Sequence, residues 1–140
     1  VRPALLWNDT RSAAAAQALI SEAGGEVYWA QATGTVPVAS LTSTKLRWLA
    51  DNEPDSRPDG RRLLAADWLS WRLAGYGPGS GTAGIAALCT DRSDATGTGY
   101  WSPTTGNYLP DVLERSLGQV PGLPEVLGPL DSKLKTPSGS

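Results

Sequence analysis

Three stretches carry residue types and spacings that could do chemistry. In Trp7-Asn8-Asp9-Thr10-Arg11 an indole is followed by an amide, a carboxylate and a guanidinium. An aromatic ring at the end of a strand can cover the apolar face of a sugar, and the polar neighbours can bond its hydroxyls. Asp9 can equally cap a following helix while Arg11 stays in water, and both readings stand. Asp91-Arg92-Ser93-Asp94 places two carboxylates close together. That suggests a metal, but no acidic loop with a defined ligand count follows, and an Asx turn ahead of a strand is the plainer reading. Gly79-Ser80-Gly81-Thr82-Ala83-Gly84 spells G-x-G-x-x-G. A dinucleotide site needs a strand before that motif and a helix after it, whereas here a helix precedes it, so a flexible loop is expected. No G-x-x-x-x-G-K-[ST] occurs.

Those residues must be positioned by a chain of 140 residues, the size of one ordinary domain. Twelve Lys and Arg are scattered among fourteen Asp and Glu, for a net charge of -2. A clustered basic patch, the mark of a nucleic-acid or membrane-surface partner, is missing. No run approaches the ~20 apolar residues of a membrane span, and residues 1–7 are too short for a signal peptide. Cys89 is the sole cysteine, so no internal disulfide can form and a reducing cytoplasm fits. Asn8-Asp9-Thr10 matches a glycosylation sequon that such a compartment would leave unused. The chain has no Met, His or Phe. A start within a longer protein is therefore expected, and neither a Ser-His-Asp triad nor a His-bound zinc can be built from these residues alone.

Arg2 to Trp7 reads as the end of a strand, and Asn8, Asp9 and Thr10 offer caps for a helix over Arg11 to Ala23. Ala16, Leu19, Ile20 and Ala23 form its apolar face, and Gly24-Gly25 end it. Residues 32–40 read as a loop. A second helix runs from Thr42 or Ser43 to about Asn52, where Pro54 stops it. A third carries Leu64, Trp68 and Trp71 and closes at Gly75. Trp48, Trp68 and Trp71, beside leucines at helical spacing, are expected in the core. Thr90 to Trp101 reads as a turn followed by a strand. Asp111 to Leu117 is a short helix ended by Gly118, and the proline-bearing tail from Val120 is extended.

Four segments in this order resemble the FGGY family of carbohydrate kinases. Arg2-Pro3-Ala4-Leu5-Leu6-Trp7-Asn8-Asp9-Thr10-Arg11 is similar to R-P-A-I-L-W-x-D-x-R, and Thr42 to Leu49 with Glu53-Pro54 to T-x-x-K-L-x-W-L…E-P. Asp67-Trp68-Leu69…Leu73-Ala74-Gly75 is similar to D-[WY]-L…L-T-G, and Thr90 to Trp101 to T-D-x-S-D-A-S-G-T. The wording is most similar to the actinobacterial branch that acts on D-xylulose, with glycerol and gluconate kinases as the nearest rivals. Where relatives often have Pro-His or Pro-Lys before the aspartate matched by Asp67, this chain has Ala65-Ala66.

The resemblance implies an α/β fold: part of an RNase H-like, actin-like kinase domain, here mainly helical with a few short strands. Residues 1–140 would belong to the sugar-side N-terminal domain, with 76–89 as a glycine-rich insertion loop. The implied activity is ATP-dependent phosphorylation of a sugar hydroxyl, D-xylulose first, with magnesium. A non-catalytic helical interaction module is the reading from another class. The family's tryptophan matched by Trp7 lies by the substrate, with Asn8, Asp9 and Arg11 as polar support. The position matched by Ser40 is also near the substrate in relatives. The D-x-G-T-x-S and M-H-G segments are absent. The catalytic aspartate, in G-x-x-D-N, is expected beyond Ser140, so no catalytic residue is assigned and the segment alone is expected to be inactive. The implied partners are a small-molecule sugar, the remainder of the kinase chain and a second copy in a homodimer.

Overall fold

The computed structural model describes residues 3–56 and 65–133, the side chains of Ser56, Ala65 and Ala66 excepted. The expected third-helix residue Leu64 lies outside them. In chain order the helices are α1 (Ala13–Glu22), α2 (Glu26–Thr33), α3 (Thr42–Asn52), α4 (Ala65–Leu73), α5 (Gly81–Ala86), α6 (Arg92–Gly97) and α7 (Pro110–Leu117). A short 3-10 turn, Pro54–Ser56, follows α3. The strands are two residues long: β1 (Cys89–Thr90), β2 (Trp101–Ser102), β3 (Asn107–Tyr108) and β4 (Glu125–Val126). The fold is thus helix-rich α/β with short strands, as expected. Two compact units form, Val1–Gly60 with Ala95–Pro121 and Arg61–Asp94 with Gly122–Ser140.

In the first unit α3 packs on α1 and most extensively on α7. Alanine-rich α1 needs little help to be helical. It buries Ala15, Ala16 and Leu19, and Gly24 and Gly25, at φ of 92° and 99°, end it. α7 opens on a proline, buries Val112, Leu113 and Leu117 along one stripe, and closes on Gly118 in the left-handed region. An ion cluster ties the three helices together. Arg47 on α3 makes two 2.7 Å bonds to the carboxylate of Glu22 on α1 and a third, at 2.9 Å, to Asp51. It also donates to the carbonyl of Arg115 on α7, and the carboxylate bonds raise its pKa.

α2 departs from the sequence reading, which ran the loop from residue 32. Its eight residues bury only Trp29 and Thr33, too few to print a helical stripe. Tertiary contact holds it instead: Trp29, fully buried, donates its indole N–H to the Leu19 carbonyl at 3.1 Å. A second departure is α6, within a stretch read as a turn and strand. Asp91 Oδ1 accepts the backbone N–H of Asp94 at 2.9 Å, so the supposed turn residue caps a helix. The strand appears only at β2, which pairs antiparallel with β3 through Trp101↔Tyr108. The expected strand end before Trp7 is also not found in residues 3–7. No described strand lies beside it to form a ladder, and the Leu6 carbonyl accepts Asp9 N–H in a turn instead.

In the second unit β1 and β4 pair in parallel, Cys89↔Glu125 and Thr90↔Val126. Trp71 packs with Ala87, Leu88 and Tyr76. The glycine-rich stretch, expected as a loop over 76–89, holds α5. Gly84 is its working glycine: a Cβ there would stand 3.4 Å from the Trp71 ring and would collide with Ser80 Cβ. Trp71 donates to the Gly84 carbonyl at 2.8 Å. The motif therefore serves close helix packing. Trp71 takes the core place expected of it, Trp48 is half-buried, and Trp68 is exposed on the outer side of α4.

Tyr28 on α2 donates to Asp111 Oδ2 on α7 at 2.6 Å. Burial, and then that carboxylate, push its phenol up to about 12 from 10.0. The raised value means that the folded state keeps a proton the unfolded chain releases. The stabilisation is complete below pH 10 and is lost as pH rises through about 12. An alkaline absorbance titration is expected to show one of the four tyrosines ionising late, and Tyr28→Phe to remove that phase. A titration without a late phase that Tyr28→Phe removes would contradict the assignment.

Candidate functional site

The turn ahead of α1 is closed by Asp9 N–H on the Leu6 carbonyl at 3.1 Å and Ala13 N–H on the Thr10 carbonyl at 3.0 Å. Asp9 and Arg11 are brought together inside it. Asp9 Oδ1 accepts both the backbone N–H and the Nε of Arg11, each at 3.0 Å, and Oδ2 lies 2.8 Å from the same Nε. These bonds lower the Asp9 pKa, so it is a carboxylate at neutral pH. The Arg11 guanidinium also sits 5.0 Å over the Trp48 ring. Asp9 thus engages Arg11 and is not the helix cap the sequence also allowed: α1 begins at Ala13, two residues later than expected, and its N-cap is Ser12, with no side-chain cap bond.

Trp7 and Asn8 form the exposed front of the turn, with Trp7 77% exposed. Ser40 is reached through a buried hydroxyl pair. Ser12, one residue past Arg11, donates to the Ala39 carbonyl at 2.9 Å. Thr44 on α3 has its hydroxyl 3.3 Å from that of Ser12 and 2.9 Å from the Leu41 carbonyl. Ser40 itself is exposed, on the loop these bonds hold.

Sequence reading missed Ser12, Thr44 and Lys45. Lys45 is only 7% exposed and its Nζ donates to the Asp9 carbonyl at 3.0 Å. Burial lowers its pKa, and the charge of Asp9 acts the other way. The available signal was the polar run Thr42-Ser43-Thr44-Lys45 directly before the apolar Leu46, where a helix face turns inward.

The second unit holds a cavity of about 590 Å³ beside the end of β1, lined by Asp67, Ser70, Thr90, Asp91, Asp94 and Lys133 among others. Burial, and then Asp91, raise the Asp94 pKa. Among the described residues no group of three or more His, Cys, Asp or Glu is arranged to hold a metal. Nor is any described helix long and apolar enough to cross a membrane.

The profile of the FGGY family of carbohydrate kinases, N-terminal domain, matches residues 1–128. The chain belongs to the FGGY family of carbohydrate kinases. It is 45% identical over 131 residues to a xylulose kinase of Streptomyces rubiginosus, covering 92% of this chain and 25% of that relative. A glycerol kinase of Gloeobacter violaceus is 33% identical over 111 residues, or 79% of this chain and 20% of that one. The crystal structure of the xylulose kinase from Bifidobacterium adolescentis superposes with a TM-score of 0.87 at 41% identity, over 96% of this chain and 33% of that chain. The FGGY segment described here therefore spans about a quarter of the length of the curated xylulose kinase it matches.

Ser12 is fully buried, and Ser12→Ala would strip the Ala39 carbonyl of its best donor. Leaving a buried acceptor short costs about 1–3 kcal/mol. Urea unfolding of the protein carrying this segment is expected to shift earlier by that amount. An unchanged midpoint would mean that water or Thr44 replaces the bond without loss.

Proposed function

We propose that the whole protein phosphorylates a sugar hydroxyl with ATP, D-xylulose before other sugars, and that this chain supplies part of the sugar-side wall. The observation that carries the reading is Trp7. Its indole is 77% exposed and stands on a turn locked by Asp9, Arg11 and Lys45. A rigid indole face suits the C–H side of a sugar, and polar groups flanking it set the orientation. Asn8 and Ser40 stand exposed and would bond hydroxyls, while Arg11 fixes the Asp9 carboxylate.

Phosphoryl transfer is mainly positioning and charge stabilisation around an in-line geometry. In this reading the chain performs the positioning. The base that takes the hydroxyl proton, the nucleotide and magnesium belong to the remainder of the enzyme, so residues 1–140 alone turn over no ATP. The preference for D-xylulose is supported by the higher identity to the Streptomyces xylulose kinase, 45% against 33% for the glycerol kinase. The sole cysteine, free and buried, is compatible with a cytoplasmic enzyme.

A coupled ADP assay on the full-length protein is expected to give kcat/KM for D-xylulose at least about tenfold above glycerol and gluconate. Trp7→Ala is expected to lower sugar kcat/KM by about 10- to 100-fold, equivalent to ~1–3 kcal/mol, with the KM for ATP unchanged. A preference for glycerol would reject the substrate assignment. A folded Trp7→Ala enzyme with wild-type sugar kinetics would return Trp7 to an ordinary surface residue.

A further inference from the structure

We infer that Lys45 is a positioning residue for sugar binding, setting the Trp7–Arg11 turn from the back through the Asp9 main-chain carbonyl. This rests on the proposed role of that turn in holding the sugar. A buried ammonium is expensive, and an apolar side chain of similar length would fill the same place on α3 at less cost. Lys45 is nonetheless only 7% exposed, and its Nζ reaches back 36 residues to Asp9 O at 3.0 Å. On the other side of the same residue, Arg11 grips the Asp9 carboxylate through two nitrogens. Asp9 is therefore held at its main chain by one cation and at its side chain by another, and the residue between Trp7 and Arg11 has little room to move.

The neighbouring residue makes the arrangement specific. Thr44, directly before Lys45, places its hydroxyl 2.9 Å from the Leu41 carbonyl and 3.1 Å from that of Val38, on either side of Ser40. Two consecutive residues on the first turns of α3 thus reach two separate segments, one bearing Trp7 and Asn8, the other Ser40. The helix sets the spacing between the residues proposed to touch the sugar, and Lys45 is its contact to the Trp7 side.

The test uses the full-length enzyme with sugar and ATP varied separately. Lys45→Met is expected to raise the sugar KM at least about tenfold, with the KM for ATP within about twofold of wild type, while Lys45→Arg, which keeps a charged donor, recovers most of the loss. Arg47→Met, on the same helix but in the Glu22 cluster and without a bond to the Trp7–Arg11 turn, is expected to lower stability modestly without moving the sugar KM. If Lys45→Met does not fold, Lys45→Gln decides: its shorter, uncharged amide should still raise the sugar KM at least about threefold. A folded variant with unchanged sugar KM, or an equal rise in both KM values, overturns the inference, and so does failure of both neutral variants to fold, which would make Lys45 structural. Trp7→Ala run alongside separates the two readings. If it moves the sugar KM and the Lys45 variants do not, only the Lys45 inference falls; if neither does, the sugar-wall reading falls with it.

Discussion

Buried polar groups must find partners, and at the start of α3 that demand organises the whole first unit. Ser43, Thr44 and Lys45 are consecutive and buried. Each faces a different segment: Ser43 contributes its backbone N–H, which donates to the Thr98 carbonyl at 2.8 Å while its buried hydroxyl has no partner among the described residues, Thr44 reaches residues 38–41, and Lys45 reaches Asp9. A helix that buried only leucines there could slide or rotate at small cost, because apolar contact is not directional. Hydrogen bonds with fixed lengths and angles leave one register. Close packing supports the same register at Gly99, where φ is +74° and an added Cβ would lie 2.7 Å from Ser43 Oγ.

The far side of α3 is held by charge. Arg47 joins Glu22 and Asp51 and touches the α7 backbone, while Arg115 returns a bond to the Glu22 carbonyl. These groups are partly in water, so each pair contributes only modestly to stability. Between the two polar edges lie Leu46 and Ala50, with Val112, Leu113 and Leu117 of α7 buried as well. One side of the helix faces the turn that presents Trp7 and the other locks the bundle.

The second unit is built differently. A two-stranded parallel ladder is a weak element by itself, and its core centres on Trp71. The indole needs both a partner for its N–H and a flat approach to a helix, and Gly84 supplies the two together. The glycines in 79–84 look like a phosphate motif because phosphates and aromatic rings alike demand close backbone approach. What precedes the motif distinguishes the cases: a helix with Trp71 on it points to packing.

The sequence by itself determined the local elements with strong repeats or strong stops. α1, α3 and α7 follow from apolar spacing bounded by Gly24-Gly25, Pro54 and Gly118, and the ordered segments from Trp7 to Trp101 led to the family. The weak elements α2 and α6 escaped because one is held by the buried Trp29 indole on the Leu19 carbonyl and the other by a cap that also reads as a turn. Asp9 and Arg11 were legible as a pair because they are neighbours in the chain. That Asp9 is also held by Lys45, that Ser12 meets Ala39 across 27 residues, and that Trp7 stays exposed while Trp29 is buried were decided only by the tertiary structure. Periodicity says which side of a helix turns inward, but a hydrogen bond depends on which backbone group arrives opposite it, and only the packed chain brings that group there.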